Sequence, residues 1–263
     1  MTSTRLIRLV PNHRRLSIGA CKLPKILFLG SDSFSCAVLK ELIARRELWD
    51  EIHVVTPPIT RKGRGLKNVH RGMSTDPTQK STRVSIERRQ EPPSAMGCTS
   101  LLGSAQPSFP YFVPKELINQ FPPSHCLNLH PSNLPLYRGP APIQWQLADR
   151  VDRLGVTIQD LSPHGFDLGD VLAQQAVPLP PNTSYVIAES LLALIGATLM
   201  CKVLKNLPEV IETAQKQDPQ MATKARKISQ SDLTVRQDWN LAILKTRYLG
   251  MGHQVCVCVC GYD

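Results

Sequence analysis

The chain has 263 residues, of which 42% are hydrophobic and 20% charged, a balance typical of a globular protein with one or two domains. Its longest apolar stretch, Ser190–Cys201, is far shorter than the roughly 20 residues that a membrane-spanning helix needs, so the sequence predicts no membrane segment. The formal net charge of +10 excludes a strongly acidic protein and favours polyanionic partners such as nucleic acid.

The N-terminal leader is basic. Met1–Ser31 contains six Lys or Arg residues and no Asp or Glu, and no apolar segment of the kind found in secretory signals follows the charges. This composition is typical of mitochondrial transit peptides. Residues 1–24 are therefore predicted to be a transit peptide, with the mitochondrial matrix as the destination, and a disordered basic leader is the alternative.

Regular structure is predicted to begin at Lys25. Ile26–Leu29 is a short apolar run typical of a buried parallel strand, and Gly30 closes it. Phe34–Leu48 has the pattern of a helix, and Ile52–Val55 that of a second buried strand. This β–α–β order predicts a right-handed crossover in a parallel sheet.

A basic block follows the second strand. Nine Lys or Arg residues lie between Pro57 and Gln90, against two acidic residues, and the loop Gly63–Gly65 with its flanking cations could hold phosphates. A solvated or disordered basic loop is the alternative reading. The segment 68–107 is polar and lacks periodicity, so it is predicted to be aberrant or disordered.

Regular patterns resume after this segment and continue the α/β alternation. Thr183 or Ser184 is predicted to cap a long amphipathic helix. The remaining predicted elements are a helix at Val113–Gln120, a strand at His125–His130, a helix at Ala141–Leu147, strands at Gly155–Asp160 and Val171–Val177, and the long helix to about Leu204. Its predicted buried face consists of Ile187, Leu191, Leu194, Ile195, Leu199 and Val203.

Two short segments carry side chains suited to acyl transfer. Asn128 and His130 lie two residues apart at the carboxyl end of a predicted strand, where open α/β sheets bind ligands. An amide donor and an imidazole can stabilise an oxyanion. Asp167, between two glycines, could orient His130. Taken separately, polar residues at a strand end and an Asp in a turn are the alternatives. The eight cysteines form no C-x-x-C pair, which favours reduced thiols and no metal site.

The run from Asn128 to Trp145 resembles the catalytic segment of the 10-formyltetrahydrofolate-dependent formyltransferases. Gly155–Gln159 and Gly165–Leu172 resemble further motifs of that family in the same order. The segments most similar to its methionyl-tRNA formyltransferase branch are Arg138–Gln144, Gly63–Gly65 and Lys224–Trp239. Together with the basic leader, the resemblance is strongest to the mitochondrial members of that branch.

The resemblance implies a Rossmann-like α/β fold with a mainly parallel sheet flanked by helices. It implies formyl transfer from 10-formyltetrahydrofolate to the α-amine of initiator methionyl-tRNA, with no metal and as a monomer. Asn128 and His130 would stabilise the oxyanion, and Asp167 would orient His130. The residues implied to bind folate are Ser132, Leu134, Pro135, His164 and Gly165. Those implied to bind tRNA are Arg61, Lys62, Arg64 and Arg138.

The sequence departs from the family at three places. Residues 68–107 lack its next strand and helix, Pro110 replaces a glycine of the folate loop, and the chain ends where a β-barrel tRNA-binding domain begins. We therefore expect a catalytic domain at 25–207, a linker and the start of the largely missing barrel at 208–254, and a non-family tail at 255–263 whose Val-Cys repeat suggests translated intron. Another folate-dependent formyltransferase or hydrolase, or an inactive product that binds RNA through the basic loop, is the alternative.

Overall fold

The computed structural model describes residues 23–30, 32–56 and 113–254, together with five short strands in the rest of the chain. The strands are β1 (Arg5–Leu9), β2 (Lys25–Leu29), β3 (Glu51–Thr56), β4 (Arg61–Lys62), β5 (Lys67–Asn68), β6 (Val84–Glu87), β7 (Ser100–Ser104), β8 (Cys126–His130), β9 (Arg153–Asp160) and β10 (Val171–Pro178). The helices are α1 (Ser33–Ala44), α2 (Lys115–Ile118), α3 (Pro142–Ala148), α4 (Tyr185–Lys205), α5 (Leu207–Glu212), α6 (Gln230–Leu233) and α7 (Leu241–Met251).

Eight strands form one sheet in the order β10-β9-β8-β7-β2-β3-β1-β6. The four central strands, β8, β7, β2 and β3, run parallel. Both edges are antiparallel, with β9 and β10 on one side and β1 and β6 on the other. The predicted α/β fold is confirmed, and the parallel pairing is concentrated in the centre of the sheet. β4 and β5 form a separate two-stranded sheet.

Two predictions about the sheet are wrong. β1 lies inside the predicted leader and pairs with β3, so regular structure begins before Lys25. The transit-peptide prediction rested on the basic, acid-free composition of residues 1–24 and stays a prediction. β6 and β7 lie inside the segment 68–107, which was expected to be disordered, and β7 pairs with both β2 and β8. β7 contains only two consecutive leucines, too few for a periodic signal, although it occupies a central position.

The main hydrophobic core lies between one face of the sheet and helices α1 and α4. α4 approaches β8 closely at Gly196, where a Cβ atom would lie 2.7 Å from Leu129 Cδ2. Small residues on α4, including Ala188 and Ala197, face this core. The predicted buried face is therefore partly wrong, because Ile187 is 57% and Leu194 61% exposed.

The length and composition of α4 alone would allow it to cross a membrane, and it is the one such helix among the residues described. The helix is longer than the uncharged stretch Ser190–Cys201, since it continues past Glu189 and Lys202 on either side. Half of the apolar segment of α4 is buried inside the protein, as in the core helix of a folded domain.

A buried acidic residue holds the segment between α5 and α7. The Asp232 carboxylate accepts hydrogen bonds from Nη2 and Nη1 of Arg226 at 2.5 and 2.6 Å. It also accepts hydrogen bonds from the Ser229 N–H at 2.9 Å and from the Ser229 hydroxyl at 2.6 Å. The Arg226 hydrogen bonds, with smaller contributions from Ser229, hold the pKa of Asp232 far below its usual range.

The Asp232→Asn variant is expected to be less stable than the wild type at pH 7, and this difference should shrink as the pH falls. A carboxyl group with a lowered folded-state pKa stabilises the protein above its unfolded-state pKa of about 3.9, and loses this effect during protonation at lower pH. Urea unfolding midpoints between pH 7 and pH 2 measure the difference. Asp238→Asn, in a pair with Arg236 in which both side chains are 64% exposed, is the control. A difference independent of pH would contradict the assignment.

Candidate active site

β8 presents Asn128 and His130 on the same face of the sheet, because alternate residues of a strand point to the same side. In the ladder with β9, Asn128 lies opposite Gln159 and His130 lies opposite Thr157. Directly opposed residues also share a face. All four side chains are buried, so these two strands together build a compact polar surface beside the core. Of these four residues, only Asn128 and His130 were predicted from the sequence as site residues.

The loop after β8 holds three of the residues predicted to contact folate. The Thr157 hydroxyl donates to the Ser132 carbonyl at 2.6 Å and accepts from the Leu134 N–H at 3.1 Å. The Ser132 hydroxyl donates to the Leu136 carbonyl at 2.7 Å, and Pro135 follows Leu134 through a cis peptide bond. Ser132 and Leu134 therefore shape the loop through these bonds, and their contact with folate stays a prediction.

Asp167 lies beside His130, as the sequence predicted, although the two are 37 residues apart in the chain. Asp167 Oδ1 is 3.3 Å from His130 Nδ1. The other carboxylate oxygen, Oδ2, accepts from the Gly139 N–H at 2.9 Å, and Oδ1 also accepts from Gln159 Nε2 at 3.0 Å. Two neutral donors and the imidazole thus surround a carboxylate that is 7% exposed.

Both ring nitrogens of His130 face oxygen atoms. Nε2 lies 2.9 Å from the Tyr137 carbonyl oxygen, and Nδ1 faces Asp167 at a distance of 3.3 Å but without the alignment of a hydrogen bond. An imidazolium could donate to both oxygens, whereas a neutral ring could donate to one. Because the ring is fully buried, a reacting group would have to replace the Tyr137 carbonyl to contact Nε2 directly. Asn128, at 9% exposure, is the more open of the two β8 groups.

Gln217 joins the site from the segment after α5, and sequence reasoning missed it. Its Nε2 donates to the carbonyl oxygens of Gly169 at 2.7 Å and Asp167 at 3.1 Å, and lies 3.3 Å from Gln159 Oε1. Its Oε1 accepts from Nε and Nη2 of Arg138 at 3.0 and 2.7 Å. Arg138 was predicted to contact tRNA, but two of its guanidinium nitrogens donate hydrogen bonds to Gln217 within the protein.

The other predicted site residues lie around this centre or away from it. His164 is exposed, and its backbone N–H donates to Ser162 Oγ at 3.2 Å. Two apolar side chains flanking Asp167 are exposed, Phe166 at 58% and Leu168 at 44%, and they could contact an aromatic ring system. Gly165 is partly buried. Arg61 and Lys62 form β4, and Arg64 and Pro110 lie outside the described residues.

A family model and similar known proteins point to the same family. The model of the formyl transferase family matches residues 24–204. Over 211 residues the chain is 34% identical to the mitochondrial methionyl-tRNA formyltransferase of Homo sapiens, an alignment that covers 78% of this chain and 51% of the relative. It is 30% identical over 232 residues to the methionyl-tRNA formyltransferase of Syntrophus aciditrophicus, covering 86% of this chain and 72% of that protein. The chain spans about half the length of the mammalian relatives it matches.

Solved structures share the fold. The methionyl-tRNA formyltransferase from Clostridium thermocellum is similar with a TM-score of 0.55 and 15% identity, covering 86% of this chain and 82% of that one. An N-formyltransferase from Helicobacter canadensis, solved with folinic acid and dTDP-3-aminofucose, is similar with a TM-score of 0.56 and 13% identity, covering 87% of this chain and 80% of that one.

Proposed function

Because the chain belongs to the formyl transferase family, we propose that it transfers the formyl group of 10-formyltetrahydrofolate to the α-amine of initiator methionyl-tRNA. The observation that carries this proposal is the buried group of Asn128, His130 and Asp167 at the carboxyl end of a central strand. The amine acceptor is suggested by the methionyl-tRNA formyltransferases that the chain resembles.

Asn128 would donate its side-chain N–H to the oxyanion that forms when the amine attacks the formyl carbon. The His130 imidazole would add positive charge beside that oxygen, and Asp167 would hold the ring in place. The amine must be neutral to attack, and a site buried from water favours the neutral form. The proton that the amine then loses would pass towards the folate nitrogen that leaves, with the Asp167–His130 pair nearby to accept or donate it.

The exposed side chains of Phe166 and Leu168 support a folate site on this side of the catalytic group. Both flank Asp167, whose positive φ of 58° turns the backbone sharply at this point. An apolar surface beside backbone polar groups fits a pterin, which is aromatic and carries several donors and acceptors. Pro135, His164 and Gly165 remain proposed neighbours of that ring. Arg61, Lys62, Arg64 and Arg138 remain proposed contacts of the tRNA.

We further propose that the protein acts in the mitochondrial matrix during translation initiation. The acid-free basic leader supports this location. Similar proteins occur in mammalian mitochondria and in bacteria, so the leader carries this part of the proposal more than the similarity does.

A formylation assay tests the proposed function. The full chain is incubated with labelled 10-formyltetrahydrofolate and, in separate reactions, with initiator methionyl-tRNA, uncharged initiator tRNA, free methionine and an amino-sugar nucleotide. We expect label only on methionyl-tRNA. Label on the small amines alone would replace this function by that of another folate-dependent formyltransferase. RNA binding without any transfer would leave the chain as a non-catalytic RNA-binding relative.

A further inference from the structure

The segment 214–225, which follows α5, completes the candidate active site. Its backbone pairs with β10 through mutual hydrogen bonds between Gln215 and Val171, at 2.9 and 2.7 Å. It also pairs with the loop after β8, since the Arg138 N–H donates to the Thr223 carbonyl at 2.9 Å and the Ala225 N–H donates to the Arg138 carbonyl at 2.7 Å. The segment therefore connects the loop that contacts His130 to the strand that follows the Asp167 loop.

Gln217 is the side chain through which this segment contacts the catalytic acid. A side-chain amide has two N–H donors and one carbonyl acceptor, and in Gln217 the carbonyl oxygen takes both bonds from Arg138. This fixes the direction of the amide, so that its NH2 group points at the Asp167 and Gly169 carbonyl oxygens. In the opposite orientation the Gln217 NH2 group would face the Arg138 guanidinium, which also has only donors, and no hydrogen bond could form between them.

The backbone at Asp167 needs such support. Its φ of 58° lies in the left-handed region, which a residue with a Cβ atom adopts only at a cost. The Gly169 N–H donates to Gln159 Oε1 at 3.2 Å, and Gln159 Nε2 then donates to the Asp167 carboxylate. Gln217 therefore acts on the carboxylate by two routes, through the Asp167 backbone and through the orientation of Gln159.

A second contact from the same segment fixes the other donor to Asp167. Gly139 has a φ of 121°, and a Cβ atom there would lie 2.8 Å from the Ala225 carbonyl oxygen. Glycine permits this conformation, in which the Gly139 N–H donates to Asp167. The segment thus sets the position of the carboxylate from both sides without contributing a group to the reaction itself.

We propose that Gln217, anchored by Arg138, is a positioning residue that holds Asp167 in its catalytic place against His130. The proposal rests on the proposed function, because it assigns Asp167 to catalysis. It places a functional determinant outside the residues 24–204 that match the family model. It also gives Arg138 a role in the reaction through Gln217.

Three variants of the full chain separate positioning from folding. Gln217→Glu keeps the acceptor for Arg138 but loses both N–H donors, and Gln217→Ala loses both functions. Gln215→Ala removes an exposed side chain of the same type two residues away and is the matched control. We expect both Gln217 variants to lower kcat by about 10²-fold, since a small displacement of a catalytic group costs about this much, while KM for both substrates changes less than about threefold and Gln215→Ala resembles the wild type.

A double-mutant cycle tests whether Gln217 acts through Asp167. In an Asp167→Asn background, Gln217→Ala should cost little further activity, because residues that act as one unit are not additive. Losses in kcat that multiply across the two substitutions, or a change confined to the melting temperature and the folded fraction, would overturn the proposal and leave Gln217 a structural residue.

A measurement without turnover keeps this test separate from the proposed function. The ring ¹H–¹⁵N NMR signals of His130 should shift in Gln217→Ala and Gln217→Glu, and should stay in place in Gln215→Ala. Unchanged His130 signals in both Gln217 variants would overturn the positioning role, whether or not the chain formylates methionyl-tRNA. A wild type that transfers no formyl group, but whose His130 signals respond to Gln217, would contradict the proposed function alone.

Discussion

Replacement of Asn128 by alanine is expected to lower the rate of formyl transfer by roughly 10²–10³-fold, the usual effect of losing one oxyanion donor. The reason is positional as well as chemical. Asn128 is the less buried member of the polar face of β8 and β9, whereas both ring nitrogens of His130 already face protein oxygen atoms. The Asn128 amide is therefore the donor best placed to meet a developing negative charge.

Single-turnover rates with saturating folate and methionyl-tRNA measure this loss, because they report the chemical step and not product release. We expect KM to change little, since the bond to the oxyanion forms only in the transition state. Asn119→Ala, at an exposed position after α2, is the control for loss of an asparagine side chain. A variant at Asn128 with near-normal turnover would remove this residue from the mechanism.

Replacement of Asp167 by asparagine is expected to lower kcat by a factor on the order of 10²–10⁴, as when a buried carboxylate that orients a catalytic histidine becomes an amide. Asp167 accepts two hydrogen bonds from neutral donors and faces the His130 ring. An asparagine carries one acceptor and one donor group, so its NH2 group would face either the Gly139 N–H or the amide of Gln159. The substitution removes the negative charge and also breaks at least one of these bonds.

The matched control is Asp170→Asn, because Asp170 lies three residues away in the same loop and is exposed. It removes the same charge near the site without removing a contact to His130. A loss of activity of similar size in both variants would mean that the overall charge of the loop matters, and would contradict a specific role for Asp167.

Much of the central sheet could be predicted from the sequence, because its strands bury both faces and appear as short apolar runs. β2, β3 and β8 were predicted to within one residue, and α1 differs chiefly in ending earlier, at Ala44. β7 was missed because its pairing partners on both sides, rather than its own composition, make it a strand. The buried face of α4 was only partly predicted because small residues such as Ala188, Gly196 and Ala197 form part of it, whereas Ile187 and Leu194 are exposed.

The residues of the candidate site likewise divide into those that could be predicted from the sequence and those that could not. Asn128 and His130 could be placed on one face from their spacing alone, and Asp167 could be joined to them only by resemblance to known motifs. Gln217 could not be predicted, because a single glutamine in a polar connecting segment has the composition of an ordinary surface residue. Its contacts reach residues that lie 48 to 79 positions earlier in the chain, and no local pattern encodes them.

The pairing of segment 214–225 with the loop after β8 has a consequence for how the protein is made. On the ribosome the chain emerges from its N-terminus, so β8 and the Asp167 loop leave the exit tunnel well before Gln217. Until Gln217 has emerged, a nascent chain can form the strand that carries Asn128 and His130, while the loop that carries Asp167 lacks the hydrogen bonds from Gln217. The protein therefore acquires its complete catalytic geometry late in its own synthesis, after the sheet that carries it.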